Sequence, residues 1–194
     1  FTKYSKEKIL ELAIQGEQTV FENVSGADTT VSTFGGIIEY NKKTGYNKLD
    51  VDTDFHLIIA NSKQTHSTHK IVSKVNEFKK NNSEVFLSLC KKESELVEQV
   101  KKSLAKKDLQ SLGENMKTNQ EYLETIGISN DKLRLMLSVA NKTSFGAKIT
   151  GAGGGGCIIA LTDEANMENT IKDLQKNNFD CFSAKIDTRG LDTF

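Results

Sequence analysis

Apolar residues recur at two different periods along this chain, and each change of period marks a new element. Between Ser5 and about Glu22, Ile9, Leu12, Ala13, Val20 and Phe21 recur near helical spacing, with Ser5 placed to cap the helix. Asn23-Val24-Ser25-Gly26 breaks that pattern. Asp28 to Phe34 reads as a short helix ended by Gly35-Gly36. Ile37 to Tyr40 reads as a strand, Lys42 to Gly45 as a hairpin turn, and Tyr46 to Val51 as the returning strand. His56 to Ala60 is a short buried strand.

The helical period then takes over. Ile71, Val75 and Phe78 carry a helix over Thr68–Lys80, and Ser83 opens a longer one through Leu89, Leu96 and Leu104. Leu112, Met116 and Leu123 mark a third, and Asn130-Asp131 starts a fourth with Leu133, Met136 and Leu137. These stripes are core positions and carry no chemistry. Strands flank the Gly-rich stretch, followed by a helix from about Asp163 to Lys176 and a last strand near Asp180–Lys185. The order predicts an α+β fold with helices on one face of an antiparallel sheet.

Six of the fourteen glycines lie between Gly146 and Gly156, so the concentration is local. They sit between Ala147-Lys148-Ile149-Thr150 and Cys157-Ile158-Ile159-Ala160-Leu161, both strand-like, whereas a flexible linker has polar flanks. Bare backbone at such a turn can take positive φ and approach a ligand closely, and its successive N–H groups can form an anion nest. A tight hairpin without a ligand is the other reading. The stretch lacks the Gly-Lys-Ser/Thr ending of a Walker loop and the spaced glycines of a Rossmann turn.

Composition narrows the function classes. The 26 basic and 26 acidic residues cancel, so no net field favours nucleic acid or a membrane surface. Lys101-Lys102 and Lys106-Lys107 alternate with Glu95, Glu98 and Asp108, as on a solvated helix face. No apolar run approaches the roughly 20 residues a membrane span needs. Cys90, Cys157 and Cys181 are widely spaced and odd in number, which argues for a reducing, cytoplasmic setting and against a disulfide framework. His66 and His69 have metal-ligand spacing but no Cys or acidic partner nearby.

Lys148-Ile-Thr-Gly-Ala-Gly-Gly-Gly-Gly-Cys157 resembles the C-terminal motif of the GHMP small-molecule kinases, most of all the branch that phosphorylates mevalonate. A second block agrees. Gly16-Glu17 and Ser25-Gly26-Ala27-Asp28, with Asp28 eleven positions after Glu17, followed by Ser32-Thr33-Phe34-Gly35-Gly36, are similar to that branch's middle motif. Ile59-Ala-Asn-Ser-Lys-Gln-Thr-His-Ser-Thr68 is a softer match to its substrate-side strand-to-helix turn.

On the residues alone, Asp28 reads equally as a helix cap. The resemblance implies more: Asp28 as the catalytic carboxylate facing the attacking hydroxyl, and Glu17 as a ligand of the Mg²⁺ on ATP. It further implies a phosphate-side loop at Gly151, Ala152, Gly153, Gly154, Gly155 and Gly156, and substrate contacts at Ser25, His66, Ser67 and Thr68. These roles suit phosphoryl transfer, in which the enzyme chiefly aligns the nucleophile and neutralises phosphate charge. Two positions depart from the pattern. His66 stands where the family usually has Arg, so no guanidinium fork is available there, and Val24 stands where it usually has Pro.

The implied fold is the second half of the GHMP architecture. Residues 1–53 would be the end of an S5-like N-terminal lobe, and 54–194 a ferredoxin-like antiparallel sheet with a helical layer. The family's N-terminal Lys and its Gly-Leu-Gly-Ser-Ser loop do not occur in these 194 residues, and the chain begins at Phe1 rather than Met. The expectation is therefore a C-terminal portion of a kinase acting on mevalonate, inactive alone, with Phe1–Tyr40 loosely held. A related GHMP kinase, a non-catalytic assembly module and a homodimer are left open.

Overall fold

The computed structural model describes residues 4–20, 24–65 and 67–192. They divide into two compact units, Phe1–Thr53 with Ile186–Phe194, and Asp54–Lys185. The sequence reading carried the second region to 194. The last nine residues instead cluster with the first unit.

The first unit holds α1 (Lys6–Val20), α2 (Ala27–Phe34) and a hairpin of β1 (Ile37–Asn41) and β2 (Gly45–Leu49). Ser5 caps α1 as expected, its Oγ accepting from Lys8 N at 3.3 Å. No residue of α1 is buried in this chain. The hairpin pairs Ile37 with Leu49 and Asn41 with Gly45.

The C-terminal tail docks over the end of α2. Gly35 and Gly190, both at positive φ, lie so close that a Cβ on Gly35 would meet Gly190 N at 2.3 Å. Gly36 N donates to Asp187 O at 2.7 Å and Leu191 N to Thr33 O at 3.0 Å. Lys48 Nζ then bridges Phe34 O and Thr188 O, 2.7 Å from each.

The second unit contains β3 (His56–Asn61), α3 (Thr68–Asn81), α4 (Ser83–Ala105), α5 (Leu109–Ile126) and α6 (Asp131–Ala140). After them come β4 (Gly146–Ile149), β5 (Cys157–Thr162), α7 (Glu164–Lys176) and β6 (Asp180–Ala184). Its sheet is fully antiparallel in the order β4-β5-β3-β6, the ferredoxin-like arrangement.

Strand alternation sends Ile58, Ala60, Ala147, Ile149, Ile158 and Ala160 to one face. There they pack with Leu133, Met136 and Leu137 of α6 and Leu174 of α7. Side-chain caps set the helix starts: Asp108 accepts from Ser111 N, Asn130 from Leu133 N and Asp163 from Asn166 N. Helix α5 lies against β4, with Gln120 Oε1 accepting from Ile149 N at 2.9 Å. Gly113 permits that approach, since a Cβ there would meet Phe145 C at 2.4 Å.

Candidate functional site

The first unit brings together three of the expected residues. Gly26 starts α2 at φ 82°, a conformation that glycine takes freely. It also fits tightly: a Cβ would lie 3.0 Å from the Tyr40 hydroxyl and 3.2 Å from Ile14 Cδ1. Tyr40 donates its hydroxyl hydrogen to Ser25 O, and Ser25 Oγ accepts from Ala27 N at 3.2 Å. Asp28 therefore does not cap the helix. Gly26 occupies the cap position without a side-chain bond, and Asp28 stands exposed in the first turn. A carboxylate there is favoured by the positive end of the helix.

Glu17, half-buried on α1, reaches the same turn through Thr29, whose hydroxyl donates to Glu17 Oε2 at 2.6 Å. That bond leaves carboxylate lone pairs for a cation. Among the described residues no three His, Cys, Asp or Glu side chains gather into a metal cage. Mg²⁺ commonly takes one or two protein carboxylates with phosphate and water completing its octahedron, so a single Glu17 ligand fits that ion.

The second unit builds the glycine loop between β4 and β5. Gly151, Gly153, Gly154 and Gly156 have φ between 72° and 82°. Gly155 is required for space, since a Cβ would meet Gln64 O at 2.5 Å; one on Gly153 would meet Ile128 O at 2.6 Å. The expected run of free N–H donors is partly used within the protein. Gly154 N donates to Ile128 O at 2.7 Å and Gly156 N to Gln64 O at 3.3 Å. Ser62 N returns a bond to Gly156 O at 2.8 Å, and Asn130 Nδ2 donates to Gly154 O at 3.0 Å.

A cleft of about 470 Å³ opens beside the loop, lined by Lys63, Gln64, Thr65, Asn130, Lys132 and Gly154 among others. Lys63 pairs with Asp180 at 2.6 Å. Of the expected substrate contacts on this side, Ser67 caps α3, accepting from Lys70 N at 3.4 Å, and Thr68 is the first residue of that helix, exposed. His66 lies outside the described residues. Burial pushes the Lys148 ammonium below its ordinary value, an effect only partly offset by the Glu93 carboxylate. Its Nζ donates to Ile149 O at 3.0 Å.

Sequence reasoning did not find Thr29, Gln64, Ile128, Gln120 or Asn130. Three of these act at a distance, through backbone carbonyls or an edge amide. Asn130 had a signal as a helix cap, but nothing in its spacing reports its bond to Gly154.

Residues 100–181 match the family model described as GHMP kinases C terminal. Over 170 residues the chain is 32% identical to mevalonate kinase of Pyrococcus horikoshii, covering 84% of this chain and 50% of that protein. Among solved structures, L. major mevalonate kinase in complex with R-mevalonate superposes with a TM-score of 0.87 at 25% identity, over 95% of this chain and 60% of that one. Phosphomevalonate kinase of Streptococcus pneumoniae shares the fold, with a TM-score of 0.73 at 15% identity over 94% and 62% of the two chains. The chain spans about half the length of the curated relatives it matches.

Proposed function

We propose, for a chain that carries the C-terminal domain of the GHMP kinases, that the whole protein transfers the γ-phosphoryl group of ATP to the primary hydroxyl of mevalonate. The observation that supports this most is the Thr29–Glu17 bond, which holds Glu17 against the helix turn bearing Asp28. A small-molecule kinase needs an aligned nucleophile and neutralised phosphate charge, and this pair supplies one group for each. Asp28 orients the alcohol and takes its proton late, as the new O–P bond forms. Glu17 holds the Mg²⁺ that ATP brings. Within the second unit, the loop Gly151–Gly156 is the phosphate-side element of this reading, and Ser67 and Thr68, at the start of α3, are its substrate contacts.

The test is a substrate panel on the full-length protein with ATP and Mg²⁺. Mevalonate should give ADP and 5-phosphomevalonate. Phosphomevalonate, a related substrate suggested by the shared fold of its kinase, should react at least about tenfold more slowly, a gap of roughly 1.4 kcal/mol. Preference for phosphomevalonate would overturn the assignment. The isolated 194-residue chain should release no ADP above background.

A further inference from the structure

We propose that Asn130 is a positioning residue that locks the Gly151–Gly156 loop into one shape, through its side-chain amide on Gly154. The inference rests on the reading above only where it concerns catalysis.

Asn130 performs two jobs with the two ends of one amide. Its Oδ1 accepts from Leu133 N at 3.0 Å and so caps α6. Its Nδ2 donates to Gly154 O at 3.0 Å, across 24 positions of chain. Ser, Thr and Asp cap helices as well as Asn does, but an ionised Asp cannot donate, and Ser and Thr lack the second arm. The second job therefore selects Asn.

The bond matters because of where it falls. Gly154 has φ 75°, in a region that glycine enters and leaves easily, so its flanking peptides have no intrinsic reason to stay in one orientation. Its N–H is held by Ile128 O, two residues before Asn130, and its C=O by Asn130 itself. Both groups of one glycine are thus tied to the α5–α6 connection. In a trans peptide the C=O and the next N–H point in opposite directions. Holding Gly154 O towards Asn130 therefore directs the Gly155 N–H away from it. The bond from Gly156 N to Gln64 O fixes the Gly155 C=O by the same argument. The peptides on both sides of Gly155 are consequently set from outside the loop, and Asn130 supplies the side-chain part of that setting. Both Asn130 and Gly154 line the cleft beside the loop.

The experiment uses Asn130→Asp in the full-length protein. It keeps the cap oxygen and replaces the donor with an acceptor facing Gly154 O. Asn130→Ser is the neutral companion, retaining a capping hydroxyl without the reach. Amide hydrogen exchange over residues 151–156 should quicken about fivefold to tenfold in both, the effect of losing one hydrogen bond, while the melting temperature moves little. kcat for phosphoryl transfer should fall by a similar factor or more. Unchanged exchange in a folded variant overturns the lock. Faster exchange with wild-type kcat and KM overturns the catalytic role. Should the wild-type protein prove to have no kinase activity, the function assigned above fails, and the exchange measurement still decides the lock.

Discussion

Thr29 gives its hydroxyl hydrogen to Glu17 Oε2 across 2.6 Å, tying α1 to the first turn of α2. The bond has a neutral donor, so it orients the carboxylate without cancelling its charge. In the full-length protein, Thr29→Val should leave Glu17 free to turn and raise the Mg²⁺ concentration needed for half-maximal rate about fivefold, in proportion to one lost hydrogen bond of about 1 kcal/mol. Glu17→Gln should raise it further, with partial recovery at high Mg²⁺, because an amide oxygen is a poorer partner for a hard dication. A Mg²⁺ titration of the steady-state rate checks both. An unaltered curve for Glu17→Gln removes that residue from the metal.

Asp28 stands in the first turn of α2 and caps nothing, so its replacement isolates chemistry from folding. Asp28→Asn should lower kcat by about 10²–10⁴ while the melting temperature and nucleotide affinity stay close to wild type. A kcat near wild type would reduce Asp28 to a surface residue of that helix.

Gly113 lies in the middle of α5, where alanine ordinarily stabilises by about 1 kcal/mol. Here the opposite should occur. The added Cβ would stand 2.4 Å from Phe145 C and O, and these backbone atoms, just before β4, cannot turn aside as a flexible side chain can. Gly113→Ala should destabilise by about 2–3 kcal/mol, read from the urea midpoint. Gly151→Ala meets open space and suffers only its positive φ, about 1 kcal/mol. Equal effects at the two positions would contradict the close packing of α5 on β4.

Lys148 supplies a pH signature. Burial depresses its ammonium below the ordinary value of 10.5, so at neutral pH the native state bears the cost of a desolvated charge. As pH rises from the lowered native value towards 10.5, the folded chain releases its proton before the unfolded one, and stability rises over that window. Lys148→Met removes the cost and should raise the melting temperature at pH 7. The advantage should shrink as pH approaches 10.5. Melting curves of both proteins across that range test the sign, and a gap that widens with pH would refute it.

The elements were legible where hydrophobic period and cap coincided. Asn130 and Asp163 cap α6 and α7 at the expected starts, and Ser83 is the first residue of α4, whose cap position Asn82 makes no side-chain bond. The glycine loop was legible because its glycines are concentrated between two strand-like segments. What the sequence could not show is contact between distant positions. Gly190 is an ordinary turn glycine until Gly35 N is found 2.5 Å from where its Cβ would be. Asp28 looked like a cap because caps are usually side-chain oxygens, whereas this helix starts on a left-handed glycine that only the packing of Ile14 and Tyr40 accounts for. Gln120 is another such case: a polar residue within an apolar stripe, used to satisfy the amide of Ile149.

The strand register has a consequence for how this protein is made. Leu57 and Ala184 are cross-strand partners, so the chain enters and leaves the second unit on neighbouring strands. The tail that follows supplies Asp187 O as acceptor for Gly36 N and donates from Leu191 N to Thr33 O. Helix α2 and the hairpin thus emerge from the ribosome long before the residues that cover them, and wait while all of 54–185 is translated. At about 5–20 residues per second that interval lasts many seconds, ample for the intervening unit to close on its own hydrophobic core. Along this stretch folding order is therefore inverted with respect to sequence: α2 and the hairpin, made before residues 54–185, are finished after them.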